Sequence, residues 1–113
     1  MRKSCTLAFA SLLVIAVCFA ATTDWQKYSV KPKAGFVPDG KTAISIAVAV
    51  WTPIYGAKMI EGEKPYSAVL EGDVWRVEGS LPEPPKGIVV FGGVATAIIS
   101  KKDGQVLAVW HTK

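Results

Sequence analysis

The chain has 113 residues, half of them hydrophobic, with 13 basic residues against 9 acidic ones and a formal charge of +4. That excess is small and scattered, which argues against a nucleic-acid partner, and one histidine with two cysteines leaves few ligands for a metal. A chain of this size buries one core, so a single folded domain is expected.

Residues 1–20 are the first predicted element. Arg2 and Lys3 precede an uncharged run from Ser4 to Thr23, whose apolar centre LAFASLLVIAVCFA is followed by small residues. A basic start and an apolar run of about 15 residues read as a secretory signal peptide, because a membrane span needs about 20. Cleavage is expected after Ala20, which removes Arg2 and Lys3 and lowers the charge from +4 to +2. The alternatives are an uncleaved anchor, with Trp25 and Tyr28 at the membrane interface, and acylation at Cys18, which the bulky Val17 before it disfavours. Cys5 and Cys18 both fall inside this segment, so the mature chain is expected to lack disulfides and to depend on packing.

Residues 21–38 show neither helical nor strand period and are predicted to form an extended N-terminal arm. Its Trp25, Tyr28, Val30, Phe36 and Val37 would leave an apolar patch if exposed, so docking onto the body is expected. Asp39 to Gly56 is the one clear helix of the mature chain. Ala43, Ile46, Ala47, Val50, Trp51 and Ile54 recur at helical spacing and define a face to bury. Asp39 or Thr42 caps the start, Pro53 cannot continue the ladder, and Gly56 suits a left-handed stop. Ile44, Val48 and Ala49 make the opposite face apolar as well, so a second cover, supplied by the arm, is expected there.

Ala57 to Pro65 reads as a polar connection. Tyr66 to Glu71 alternates as a strand, Glu71-Gly72-Asp73 turns, and Val74 to Gly79 returns with Trp75 and Val77 opposite Arg76 and Glu78. Ser80 to Lys86 holds three prolines and is predicted to be an exposed loop. Gly92-Gly93 predicts a bulge or bend before a strand from Val94 to Ser100. Asp103-Gly104 predicts a primed turn with positive φ angles. Gln105 to Thr112 closes the sheet, with Val106, Ala108 and Trp110 on one face and Leu107, Val109 and His111 on the other. Both faces are apolar, so this last hairpin is expected to be central or covered. The sum is an α+β roll, one N-terminal helix packed on a four-stranded antiparallel sheet, of NTF2-like or cystatin-like outline.

Catalytic and metal motifs are missing: there is no HExxH, CxxC or GxSxG. His111 reads as a surface residue, Glu61 and Glu63 as solvated loop charges, and Gly92-Gly93 lacks the lysine and following helix of a phosphate cradle. No enzyme activity, cofactor or metal is therefore expected.

The segments TAISIAVAVWTPIYG, EKPYSAVLEGDVWRVEGSLP and GGVATAIISKKDGQVLAVWHTK, in this order and spacing over about residues 40–113, resemble the NTF2-fold immunity proteins of bacterial polymorphic toxin systems, including partners of Rhs toxins. The proline-rich approach to Gly92 and the single long helix depart from that pattern. The resemblance implies an immunity domain at residues 39–113 that binds and neutralises a cognate protein toxin, here in the periplasm, with the membrane involved only through the signal peptide. Strand alternation and position make Tyr55, Arg76, Glu78, Lys86, His111 and Lys113 the expected partner-binding residues. Two other functions are weighed beside it. One is a secreted cystatin-like inhibitor of a host or rival hydrolase, a peptidase or lysozyme. The other is an NTF2-like enzyme for a small hydrophobic ligand, for which Asp73 and Glu78 are the nearest carboxylates.

Overall fold

Asp39 starts the main helix by accepting a hydrogen bond from the Thr42 amide at 2.8 Å through Oδ1, which fills one of the donors a helix start leaves open. In the computed structural model, which describes residues 24–89 and 92–113, this helix, α2, runs Gly40–Tyr55. Pro53 lies in its last turn without ending it. Gly56, at φ +94°, donates its amide to the Thr52 carbonyl and turns the chain into a short helix, α3, at Ala57–Glu61. The signal peptide and its cleavage site lie outside the described residues.

The described residues fall into two compact units, 24–30 and 31–113. In the first, Trp25–Tyr28 makes one helical turn, α1, that buries none of its side chains. The arm is thus not wholly extended, and Trp25, Tyr28, Val30 and Phe36 are exposed. Val37, in the second unit, docks by its side chain: it is 1% exposed, its amide bonds the Lys101 carbonyl as the Phe36 amide bonds that of Lys102, and its carbonyl accepts from Trp75 Nε1 at 2.8 Å.

The second unit carries four antiparallel strands, β1 (Ser67–Glu71), β2 (Val74–Glu78), β3 (Ala95–Ser100) and β4 (Val106–His111), in the order β1-β2-β3-β4. In the first hairpin, which forms where expected, Glu71 lies opposite Val74 and Ala68 opposite Val77. In the second, Asp103 keeps a negative φ and Gly104 alone turns positive, so the connection is longer than a two-residue primed turn. It is closed by Ser100 and Gly104 amide bonds to Gln105 and Ser100 carbonyls.

The sheet order makes β4 an edge, not the centre. A bulge lies in the last strand pair: Ile98 pairs with Ala108 while Ile99 pairs with Val106, leaving Leu107 as the extra residue. The bulge reverses the alternation beyond it. Val106 and Val109 therefore both pack on the core, and Ala108 parts from Val106, contrary to the simple period-two assignment.

The core lies between α2 and one sheet face. Ala43, Ala47 and Trp51 sit over Val77, Ala95, Ala97 and Ile99, all essentially inaccessible. Small residues on α2 and β3 let the helix approach closely enough for the Trp51 indole to be enclosed, its Nε1 reaching the Thr96 carbonyl at 3.3 Å. The buried stripe leans toward Ile44, Val48 and Tyr55, and Ile54, expected to be inside, is 56% exposed. Ile60, in the segment read as a polar connection, joins the core at 1% exposure.

Candidate functional site

The face of the sheet turned away from α2 takes the alternate residues: Val69 and Glu71 from β1, Arg76 and Glu78 from β2, Thr96 and Ile98 from β3, Ala108 and Trp110 from β4. Register places Glu78, Thr96 and Trp110 in one row and Val69, Arg76, Ile98 and Ala108 in the next. Arg76 Nε donates to Glu78 Oε1 at 2.5 Å, and its guanidinium carbon lies 5.6 Å from the Trp110 ring centroid. The Glu78 hydrogen bond, with lesser help from Glu71, holds the arginine above its ordinary value. Thr96, which pairs with Glu78 on one side and Trp110 on the other, is only 2% exposed. Around this ordered centre Val69 is 55% exposed and Ala108 is exposed.

A second constellation closes the other side at the end of α2. Glu63, read from sequence as a solvated loop charge, is buried: Oε1 accepts the Ala95 amide at 2.6 Å and Oε2 lies 3.2 Å from His111 Nε2. His111 Nδ1 lies 2.7 Å from the Thr112 carbonyl, so both ring nitrogens have a polar neighbour. The ring also packs tilted on Tyr55, centroids 5.3 Å apart. Tyr66 donates to the Ile60 carbonyl at 2.7 Å beside Trp51, and burial pushes its phenol up. Gly79 is required here because a Cβ would stand 2.7 Å from Glu63 Oε1. This cluster pins the α3–β1 connection to the end of β4, with each Glu63 oxygen engaged by one partner.

Of the residues expected to bind a partner, the structure brings Arg76 and Glu78 together on the open face and Tyr55 and His111 together at the helix end, half-buried. Lys86, in the proline loop, and Lys113 are exposed and belong to neither group. Sequence reasoning missed Trp110 as the aromatic centre of the open face, since period two alone placed it with Val106. Among the described residues no three His, Cys, Asp or Glu side chains gather as a metal site, and no helix is long and apolar enough to cross a membrane.

A helix-backed, four-stranded antiparallel sheet is an α+β body, and the family match gives it an NTF2-like fold. The chain belongs to the NTF2 fold immunity protein family, whose sequence profile matches residues 42–113, the whole of the sheet and nearly all of α2. It is also 40% identical over 101 residues to the uncharacterized protein YbbC of Escherichia coli (strain K12), covering 88% of this chain and 76% of that protein. No solved structure matches it.

Proposed function

We propose that the protein binds a cognate bacterial protein toxin and neutralises it, protecting the cell that makes both. Membership of the immunity family across the helix–sheet body is the observation that carries this reading. The blocking mode needs no bond to be made or broken: a complementary surface of standard size, roughly 1,600 Å² in total, suffices when a few aromatic and arginine anchors are well placed. The basic and apolar segment at residues 1–20 supports export, so the encounter is assigned to the periplasm, with a toxin of the polymorphic, Rhs-associated kind.

The test is co-expression with the toxin from the adjacent reading frame. Cells carrying the full chain are expected to survive and cells without it to die; equal killing overturns the reading. A chain lacking residues 2–20 is expected to stay inside the cell and to fail against a toxin delivered to the periplasm; protection by that form would reject the assigned compartment.

A further inference from the structure

The outer sheet face carries a tryptophan–arginine–glutamate centre beside an apolar row. Trp110 is held by Arg76, which is itself held by Glu78, and Thr96, paired with Glu78 and Trp110, is almost inaccessible. A centre already fixed in this way loses little side-chain freedom on binding, and tryptophan and arginine are the residue types that most often dominate interface energies. Val69, Ile98 and Ala108 extend it as an apolar strip.

Charge narrows the occupant. The face carries two carboxylates, Glu71 and Glu78, against one guanidinium, whereas the chain beyond residue 20 carries +2. With Glu78 spent on Arg76, Glu71 is the surplus charge at the rim. A second copy of this chain would set that surplus against itself. A partner with an apolar patch and a basic side chain complements it. We infer that the outer sheet face, centred on Trp110, is where the toxin docks, and that the docking patch is apolar with an arginine or lysine placed against Glu71. This inference rests on the proposed function and assigns it a surface and a partner chemistry.

The experiment measures binding of the purified chain to the toxin encoded beside it. Trp110→Ala is expected to weaken affinity by about 30-fold or more, with Trp110→Phe retaining part of the loss. Arg76→Ala, whose side chain is 40% exposed, repeats the test without risk to the core should Trp110→Ala unfold. Glu71→Lys is expected to slow association by about 10-fold at low salt, the difference shrinking as salt is added, and Lys41→Ala, exposed on α2, to bind as the wild type does. Wild-type binding that survives both Trp110→Ala and Arg76→Ala overturns the surface while leaving immunity intact. Faster association of Glu71→Lys overturns the basic partner. A wild-type dimer in sedimentation that Ile98→Lys dissolves gives the face to a second copy. Absence of any wild-type binding or protection removes the immunity reading and this surface with it.

Discussion

The two faces of one sheet are built from alternating residues of the same four strands, yet they do opposite things. The inner face, Val77, Ala95, Ala97 and Ile99, is small, apolar and sealed by α2. The outer face holds larger and amphipathic side chains, Arg76, Glu78, Ile98 and Trp110, and faces solvent. The two tryptophans mark the difference: Trp51 is 0% exposed inside the helix–sheet layer, while Trp110 lies half-buried across the outside under an arginine. One face is enough to hold the fold together, which leaves the other free for a partner.

Mutations separate the two faces, and the largest effect is expected inside. Trp51→Ala should lower stability by about 3–5 kcal/mol, seen as an early chemical-denaturation midpoint; a change under about 1 kcal/mol would mean the inner face is not the core. Glu63→Ala leaves the buried Ala95 amide without its partner and should lower stability by about 1–3 kcal/mol, with Glu63→Gln, which keeps an acceptor, closer to wild type. Ala97→Leu and Ala108→Leu sharpen the contrast with one chemical change on opposite faces. Overpacking at Ala97 should lower stability by about 1–3 kcal/mol, and Ala108→Leu should leave the melting temperature near wild type. Equal effects would erase the distinction between the faces.

The smallest expected effect is at the start of α2. The Thr42 amide holds the Asp39 carboxyl below its ordinary value of 3.8. A carboxyl depressed in the folded state adds stability that is present above the unfolded value and is lost as pH falls through the folded one. Melting temperature should therefore drop on acidification below about pH 4, and Asp39→Asn, which caps without titrating, should show a shallower drop.

The helix from Gly40 to Tyr55, its Asp39 cap, the first hairpin and the α+β class were all legible in the sequence, because each rests on local spacing and turn chemistry. The bulge at Leu107 was not. Nothing in QVLAVWH departs from period two, and only pairing against Ile98 and Ile99 reveals the extra residue. That single insertion moved Val109 into the core beside Val106 and left Trp110 outside. Glu63 was illegible for a similar reason: its neighbours Glu61 and Lys64 form an exposed pair 2.6 Å apart, and the groups that bury it, Gly79, Ala95 and His111, lie far along the chain. Of the candidate site, Arg76 and Glu78 came from alternation alone; their partner Trp110 required the bulge.

Hydroxyl-radical footprinting of Trp110, in the free protein and with the proposed toxin partner bound, tests the division of labour between the faces most directly. The expected result is a several-fold fall in Trp110 oxidation on complex formation, with the enclosed Trp51 unreactive in both states. Equal Trp110 oxidation in the free protein and in a saturated complex would show that the toxin sits elsewhere.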